Sequence, residues 1–484
     1  MDHHAYTTLV LDLHGVLATY LGKSDVSLSI SQVKAALDSP FWHDYERGKI
    51  SKDECYEKTT KTFNFDLTSW TQALEQMRSG MQPNAALISA IREIKKNHPK
   101  LKVYCLGNIP RPELDLLKEE IDSWDIIDHF FASSIVKQRK PDIAIYAEFL
   151  EKAQVSASSC IFVDDRIESV ATAQTLGLRG ILFKTADSLI TTLHNLLGDP
   201  VARAKAYLEL NAKDLFCTLS TGQKQPDNYS QLIILQNTGD RDLVVTEQKG
   251  PTWNYFIGNP VFAGTTYPND SDTTSLAMTV LDDVSGKDKL QARDAILSNL
   301  NPDGLPYCWL SKIRPRFDHC ICANVFRFFR INDWDTQLPG VYDYLCHLLE
   351  TRAYLHGSRY YASPDWFLYI LSDLCARRPS DTELQRMRDL LVKSVCDRMG
   401  RDGDILDAVL RVLSAQSLGL QNERDLETVL EGQQLDGGWE LAWLWGYGSK
   451  PLKIGSRGVV TAMAMNAIEQ ARRRDPSDGY SSGL

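Results

Sequence analysis

Two aspartates separated by one residue are the first candidates for chemistry in this sequence. They belong to the segment Asp-Ser-Asp-Thr-Thr-Ser over 270–275, which leads into an apolar run. Small hydroxyl residues before an apolar run are typical of a helix start, where they cap free N–H groups. Two neighbouring carboxyls resist ionising together, so one can keep its proton at neutral pH. We therefore expect Asp270 and Asp272 at the mouth of a helix, able to protonate a group as weakly basic as a C=C double bond; a solvated Asp-rich turn is the alternative.

A second set of polar residues follows short apolar segments in the first 170 residues. Asp12, Asn108 and Asp165 each come after a segment that is typical of a buried parallel strand. Lys140 precedes a proline that favours a first helical turn. The carboxyl ends of parallel strands share one sheet edge, where doubly wound folds place their chemistry. We expect these residues and Asp164 to converge there as nucleophile, phosphate donors and metal ligands.

Length and composition indicate two globular domains. A chain of 484 residues exceeds one ordinary core, so domains of about 200 and 270 residues are expected. The net charge of −10 argues against a general nucleic-acid surface. No apolar run is long enough to span a membrane, the first residues do not resemble a signal peptide, and the cysteines lack a disulfide or zinc rhythm. We expect a cytoplasmic protein with reduced thiols and a small-molecule substrate, and a homo-oligomer is left open.

The strand-end residues resemble the haloacid dehalogenase (HAD) superfamily over about 5–195. On this basis residues 1–197 form a HAD-like α/β domain, a doubly wound sheet with a helical cap at about 20–95. The segment Tyr-Glu-Arg-Gly-Lys-Ile-Ser over 45–51 is similar to caps of the epoxide-hydrolase N-terminal subgroup. The resemblance implies that Asp12 accepts the phosphoryl group, that Lys140 neutralises its charge, and that Asp12, Asp164 and Asp165 bind Mg²⁺, the expected cofactor.

Two positions depart from the HAD pattern. HAD phosphatases use an aspartate two residues after the nucleophile to protonate the leaving group, and this chain has His14. The Ser or Thr that usually precedes Asn108 is Gly107. The backbone carbonyl of residue 14 can still bind Mg²⁺, and an imidazole can act as an acid. Both an active phosphatase site and a slow or purely structural one are compatible with these residues.

The C-terminal part has apolar residues at helical spacing, for example over 323–329, 340–350, 364–375, 382–399 and 459–473. Its 270–275 segment resembles the acid motif of class II terpene cyclases in the D-x-D-T-T-S form, and residues 433–439 match the QW repeat. We assign 198–250 to a junction and the start of this domain, and 251–484 to an all-α, α/α-barrel-like cyclase domain. The resemblance implies that Asp272 is the proton donor, that Asp270 supports it, and that Gln433 and Trp439 are scaffold.

Further site residues follow from the resemblance and from local charge. Related cyclases hold the acidic Asp with an Asn from the facing helix, which assigns that role to Asn324; an ordinary helix-start Asn is the alternative. Lys453 and Arg457 precede a long helix, where free N–H groups and cations predict a diphosphate site, against simple surface charge. Arg314 and Arg316 are weaker candidates. Four tryptophans offer π faces to carbocations or fill the core: Trp253, Trp309, Trp443 and Trp445.

Both halves in one chain resemble the HAD-like drimane sesquiterpene synthases. The resemblance implies that Asp272 protonates farnesyl diphosphate, that two rings close to a drimenyl or albicanyl diphosphate, and that Asp12 then removes one or both phosphates. Two alternatives remain open. In one, the HAD domain is only a scaffold and the cyclic diphosphate is released. In the other, a HAD phosphatase carries a non-catalytic helical module, against which Asp270 and Asp272 argue.

Overall fold

The computed structural model describes residues 6–20, 28–248, 250–262, 267–446 and 452–474, and the chain divides into two compact units. The N-terminal unit spans His3–Gly198 and the C-terminal unit Asp199–Leu484. Each unit has hydrophobic clusters of its own. Among the helices of the described ranges, none is both long enough and apolar enough to cross a membrane.

A five-stranded parallel sheet with the order β5-β4-β1-β6-β7 forms the centre of the N-terminal unit. Buried residues of α5, α6 and α10 pack on one face and those of α8 and α9 on the other, which explains why the central strand β1 is buried throughout. The strands are β1 (Thr8–Leu11), β4 (Lys102–Gly107), β5 (His129–Ala132), β6 (Cys160–Asp164) and β7 (Arg179–Leu182). The helices are α5 (Ala85–Asn97), α6 (Arg111–Ser123), α7 (Ser133–Val136), α8 (Ile143–Ala153), α9 (Ile167–Thr175) and α10 (Ala186–Leu197).

A helical cap with a core of its own is inserted after β1. Its helices are α1 (Ile30–Leu37), α2 (Pro40–Glu46), α3 (Lys52–Phe63) and α4 (Leu67–Ser79). The strands that lead into and out of the cap, β2 (Ala18–Tyr20) and β3 (Met81–Pro83), pair antiparallel and connect it to the sheet domain. A Ser or Asp side chain caps the start of each helix. The cap core centres on the fully buried Trp70. Because α5 packs on the sheet instead, the inserted helices end earlier than the predicted residue 95.

Six helices of the C-terminal unit form a closed ring, in which each packs against the next and the last packs against the first. They are α12 (Asn228–Thr238), α13 (Ser271–Val280), α15 (His319–Ile331), α17 (Asp365–Arg377), α19 (Ile405–Ser417) and α21 (Arg457–Arg474). The outer helices are α11 (Pro200–Leu210), α14 (Gly286–Leu297), α16 (Val341–Thr351), α18 (Gln385–Arg398) and α20 (Glu423–Glu431). Inner α17 buries most of its residues, whereas outer α20 buries only Asp425 and Val429, as expected for the two layers of an α/α barrel.

A small antiparallel sheet corrects the prediction that the C-terminal unit is entirely α-helical. Its order is β10-β11-β8-β9, with β8 (Cys217–Leu219), β9 (Lys224–Gln225), β10 (Trp443–Gly446) and β11 (Lys453–Gly455). Strands of two to four residues are too short to show the alternation by which a strand is recognised in sequence. The helix boundaries also shift: α15 begins four residues before the predicted 323, because the Asp318 side chain caps it through Cys320 N and Ile321 N.

Candidate active sites

The first turn of α13 carries both aspartates of the 270–275 segment. The Asp270 side chain caps the helix, accepting a hydrogen bond from Thr273 N at 2.6 Å. Two further hydrogen bonds fix the turn to the backbone of Trp253. Asp270 N donates to the Trp253 carbonyl at 3.0 Å, and Trp253 N donates to Thr274 Oγ1 at 2.9 Å. The hydroxyl residues of the motif therefore hold the helix start, and Asp272 projects from a rigid turn.

Three side chains from other elements surround the Asp272 carboxyl. Asn324 Nδ2, from α15, donates to Asp272 Oδ1 at 2.7 Å, which is the contact predicted for this Asn. The Tyr361 hydroxyl, just before α17, donates to Oδ2 at 2.5 Å. The Tyr229 hydroxyl, in α12, lies 3.5 Å from Oδ1 and 2.7 Å from the Tyr361 hydroxyl. The two tyrosines were not predicted from the sequence.

A buried arginine determines which way the Asn324 amide points. Arg327 Nη2 donates to Asn324 Oδ1 at 2.6 Å, and Arg327 Nη1 pairs with Asp373 Oδ2 at 2.8 Å. A guanidinium can only donate hydrogen bonds, so Asn324 must present its oxygen to Arg327 and its NH₂ group to Asp272. Because only 1% of Arg327 is exposed, the Asp373 carboxylate is needed to offset its buried charge.

Burial makes both aspartates unusually weak acids. It raises the pKa of Asp270 to about 7 and that of Asp272 to about 6. Hydrogen bonds from Tyr361 and Asn324 act in the opposite direction on the Asp272 pKa, because they stabilise its charged form. A carboxyl in this range retains a fraction of its protonated form near neutral pH, as a general acid requires.

The two carboxyls open into a cavity of about 570 Å³ of empty space, its mouth included. Aromatic rings dominate its wall: Tyr229, Tyr255, Phe256, Trp309, Tyr360, Tyr361 and Trp445. Of the four tryptophans considered in the sequence, Trp309 and Trp445 line the cavity, whereas Trp253 and Trp443 are not among its lining residues. Tyr229, Asp270, Asp272 and Ile321 lie at the starts of α12, α13 and α15, so positive helix ends face this space, and the other lining groups belong to segments that precede inner helices.

The cations predicted to hold a diphosphate separate into two groups. Arg457 pairs with Asp436, donates to the Trp439 carbonyl and stacks on the Tyr207 ring, and it is not among the cavity-lining residues. Lys453 is exposed on β11, and strand alternation directs it away from its neighbour Ile454, which lines the cavity.

Arg314 and Arg316, the weaker candidates, do not line the cavity themselves but lie beside aromatic residues that do. The Arg314 guanidinium stacks 4.5 Å from the Tyr267 ring centroid and 5.9 Å from that of Trp309. Arg316 lies close enough to Tyr360, which lines the cavity, for its charge to lower the pKa of the Tyr360 hydroxyl against the raising effect of burial. The chain fold therefore brings these two arginines, and not Arg457, next to aromatic groups that line the cavity.

The carboxyl ends of β1, β4 and β6 in the N-terminal unit bring the second predicted set together. Lys140 Nζ lies 2.9 Å from Asp12 Oδ1 and 2.6 Å from Asp164 Oδ2. Asn108 holds the Lys140 backbone through two hydrogen bonds, Asn108 Nδ2 to Lys140 O at 2.9 Å and Lys140 N to Asn108 Oδ1 at 2.8 Å. The Asn108 side chain, which lies at the sheet edge, therefore positions Lys140 by binding the backbone of that lysine.

Three carboxylates at this edge form a group suited to a hard divalent cation. Oxygen atoms of Asp12, Asp164 and Asp165 lie within 4.8 Å of one another. Burial raises the pKa of all three, and Lys140 supplies only one compensating charge. Carboxylate oxygens are the ligands that Mg²⁺ prefers, so the residues present fit this ion. Gly15, at a φ of +87°, passes so close to Asp165 that a Cβ there would lie 2.2 Å from Oδ2.

His14 and Gly107 occupy the two positions that depart from the HAD pattern. Burial, followed by the nearby charge of Lys140, lowers the pKa of His14 to about 4. A Cβ at Gly107 would lie 3.2 Å from the Phe130 ring, so that ring occupies the space into which a Ser or Thr side chain would extend. The site therefore combines a complete set of acidic residues and lysine with two altered neighbours.

Comparison with known sequences matches both units to family models. Residues 8–177 match the model described as haloacid dehalogenase-like hydrolase. Residues 201–332 match the model described as sesquiterpene cyclase astC-like C-terminal domain.

Similar proteins include both two-domain and single-domain relatives. Drimenol cyclase drtB of Aspergillus calidoustus is 32% identical over 462 residues, which cover 95% of this chain and 87% of drtB. Sesquiterpene phosphatase astK of Aspergillus oryzae is 32% identical over 188 residues, 39% of this chain and 94% of astK.

Two solved structures are similar to separate parts of the chain. A HAD-family enzyme of Bacteroides thetaiotaomicron, in complex with magnesium and inorganic phosphate, is 21% identical, with a TM-score of 0.30 over 37% of this chain and 94% of that one. The type II terpene cyclase MstE from Scytonema is 12% identical, with a TM-score of 0.44 over 60% of this chain and 99% of that one.

Proposed function

Because the chain belongs to the family of drimenol cyclase drtB, we propose that it is a bifunctional enzyme of drimane sesquiterpene formation. The C-terminal unit cyclises farnesyl diphosphate to a drimenyl- or albicanyl-type diphosphate, and the N-terminal unit then removes phosphate. The observation that carries the proposal is Asp272, a buried carboxyl with a raised pKa that opens into an aromatic cavity. Such a group suits the protonation of an alkene better than any hydrolytic step.

Cyclisation begins when the Asp272 carboxyl transfers its proton to the terminal double bond of the prenyl chain. The resulting cation forms two C–C bonds and then loses a proton from carbon, so the reaction is an isomerisation that keeps the diphosphate. Aromatic faces around the cavity stabilise the positive charge while excluding water. We assign the diphosphate to Arg314 and Arg316, supported by their positions beside Trp309 and Tyr360 of the cavity wall, in preference to Lys453 and Arg457.

Phosphate removal takes place at Asp12. Its carboxylate attacks the terminal phosphorus, the P–O bond to the leaving group breaks, and water hydrolyses the resulting aspartyl phosphate. Lys140 balances the charge of the phosphoryl oxygens, because its ammonium already lies 2.9 Å from the nucleophile. Mg²⁺ held by Asp12, Asp164 and Asp165 would offset repulsion between the anionic nucleophile and the anionic substrate.

A second candidate function is a cyclase that releases the cyclic diphosphate, with the N-terminal unit as scaffold. It is favoured by His14, which replaces a carboxylic acid, and by Phe130, which fills the space beside Gly107. The presence of Asp12, Lys140, Asp164 and Asp165 supports the bifunctional enzyme instead, because Lys140 pairs with Asp12 and Asp164 and the three carboxylates lie within 4.8 Å of one another. All ten cysteines are free thiols, which supports a reducing, cytoplasmic location.

The test is incubation of the protein with farnesyl diphosphate and Mg²⁺, with mass analysis of phosphorylated and free products. Asp272→Asn should leave the substrate linear, and Asp12→Asn should accumulate a cyclic diphosphate. If the unaltered protein stops at the cyclic diphosphate, the scaffold alternative holds. If no variant cyclises a prenyl diphosphate, the cyclase proposal is wrong.

A further inference from the structure

The Asp272 carboxyl receives hydrogen bonds on both oxygens, and one donor is a tyrosine that lies outside the 270–275 segment. Tyr361 is 2% exposed and Tyr229 is 3% exposed, and both hydroxyls border the same cavity as the carboxyl. The Tyr361 hydroxyl lies within hydrogen-bond distance of Oδ2. A hydrogen bond to a reacting group affects how readily that group gives up a proton.

The direction of the hydrogen bonds follows from Arg327. Because Arg327 fixes the Asn324 oxygen, the Asn324 amide donates to Oδ1, and Oδ1 acts only as an acceptor. The transferable proton of Asp272 belongs on Oδ2, because its partner Tyr361 can accept as well as donate a hydrogen bond, whereas the Asn324 amide facing Oδ1 can only donate. This is the same oxygen that Tyr361 contacts.

The tyrosine pair provides a hydrogen-bond donor for Oδ2, so the proton of the Asp272 carboxyl stays available for transfer to the substrate. A phenol has one hydrogen, so Tyr361 can donate either to Oδ2 or to the Tyr229 hydroxyl, 2.7 Å away, and it donates to Oδ2 when Tyr229 directs its own hydrogen toward Tyr361. Oδ2 can then direct its O–H into the cavity while its lone pair accepts from Tyr361. Hydrogen bonds to a charged acceptor are about twice as strong as those between neutral groups, so this bond strengthens as the proton departs.

We propose that Tyr361 is a catalytic residue of the cyclisation, which stabilises the Asp272 carboxylate as it forms, and that Tyr229 is the positioning residue that orients the Tyr361 hydroxyl. The inference rests on the class II reaction proposed above. An interaction that is stronger in the transition state than in the ground state accelerates the reaction. Burial alone would make Asp272 too weak an acid, and Tyr361 with Asn324 opposes that effect.

Other groups also face the carboxyl and contribute to its acidity. Arg327 lowers the Asp272 pKa and Asp318, the cap of α15, raises it. Three further titratable groups interact with the Asp272 charge: the Asp270 carboxyl and the thiols of Cys308 and Cys320. Among the described residues, none of these groups forms a hydrogen bond with Oδ2, so Tyr361 can be tested separately from them.

The experiment measures single-turnover cyclisation of farnesyl diphosphate against pH in an Asp12→Asn background, where the cyclic diphosphate accumulates. Tyr361→Phe should lower the rate by about tenfold or more, as expected for a lost hydrogen bond to a charged group. In Tyr361→Phe, activity should also be lost at a higher pH than in the parent. Asp272 must be protonated to act, and its pKa rises when the Tyr361 donor is removed. Tyr229→Phe should change the cyclisation rate and the pH at which activity is lost in the same directions, but by smaller amounts.

Two further variants make the test specific. Replacing Tyr361 by 3-fluorotyrosine preserves the shape but makes a stronger donor, so activity should be lost at a lower pH. Tyr354→Phe removes another buried hydroxyl of the same unit, on a ring stacked against Phe367, and should leave the pH profile unchanged.

The outcomes separate this inference from the proposed function. If the Asp12→Asn parent does not cyclise the substrate, the proposed function fails and this inference fails with it. If the parent cyclises normally but Tyr361→Phe and the 3-fluorotyrosine variant leave the pH profile unmoved, Tyr361 is only structural and the inference alone is overturned.

Discussion

The C-terminal site depends on a carboxyl that the protein keeps out of water. Asp272 is 7% exposed, and burial is the largest contribution to its raised pKa. An acid in this state is reactive but costly: the folded protein must either hold a proton there or bury a charge. A site of this kind trades stability for function.

Replacing this acid should stabilise the protein in a pH-dependent way. The unfolded chain ionises Asp272 near pH 4, whereas the folded protein does so near pH 6. Stability therefore falls as the pH rises through this window and stays lower above it. Asp272→Asn cannot ionise, so at pH 8 its free energy of unfolding should exceed that of the unaltered protein by about 2–3 kcal/mol, at 1.4 kcal/mol per pKa unit.

Denaturant titrations between about pH 3 and pH 8 would measure this difference, which should vanish near pH 3, below both pKa values. The exposed Asp402→Asn serves as the control and should show no pH-dependent gain. A constant difference between Asp272→Asn and the unaltered protein at all pH values would contradict the raised pKa.

The sequence predicted the acidic residues of both sites better than the groups that tune them. Asp270, Asp272 and Asn324 meet as expected because an acid motif and its facing helix keep recognisable local patterns. Tyr361 and Tyr229 lie 89 and 43 residues from Asp272, and a lone tyrosine carries no distinctive pattern. The pair Tyr360-Tyr361 just before an apolar helix was the available signal, but only the fold shows which hydroxyl reaches the carboxyl.

At the scale of elements, the QW segment fastens helix ends in the way that the sequence suggested. Gln433 Nε2 donates to the carbonyls of Pro200 and Gly437, and Trp439 Nε1 donates to Val429 O at 2.7 Å. Arg457 belongs to the same arrangement, because it donates to the Trp439 carbonyl. The sequence could show a cation at a helix start but not its partner Asp436, so it suggested an anion site where the fold has an ion pair.

Arg457 should therefore matter for stability more than for substrate binding. Arg457→Met removes one hydrogen bond and a partly exposed ion pair, which together are worth about 1 kcal/mol. The melting temperature should fall by about 2–4 °C, and the KM for farnesyl diphosphate should stay unchanged. Arg316→Met should do the reverse, raising KM with little effect on melting. A raised KM in Arg457→Met with unchanged melting would restore the diphosphate role predicted from sequence.

At the scale of the whole molecule, each unit contains the complete set of groups described for its site. The sequence placed a domain boundary after residue 197, where parallel strands give way to amphipathic helices, and the two compact units divide between Gly198 and Asp199. The small sheet of the C-terminal unit was missed, since its strands are too short for any periodicity. Two sites with separate residues should respond separately to Mg²⁺.

Adding Mg²⁺ should stabilise only the N-terminal unit. At a concentration one hundred times its dissociation constant, a ligand that binds only the folded state adds about 2.7 kcal/mol. Calorimetric scans in Mg²⁺ and in EDTA would show this as a shift in the unfolding of one unit. Asp165→Asn, at an exposed position, should abolish the shift, whereas Asp272→Asn should retain it. An equal shift in Asp165→Asn would mean that the ion binds elsewhere.

The shared orientation of the inner barrel helices has a consequence for how such enzymes diversify. Several of the groups that form the cavity wall belong to connecting segments, such as 255–256, 308–309 and 360–361, and not to the middle of a helix. Mutations in these segments can reshape the space in which the carbocation folds while the ring of helices keeps its packing. A duplicated gene could thus acquire a new terpene skeleton through a few changes in its loops, with the acid and its supporting turn inherited intact.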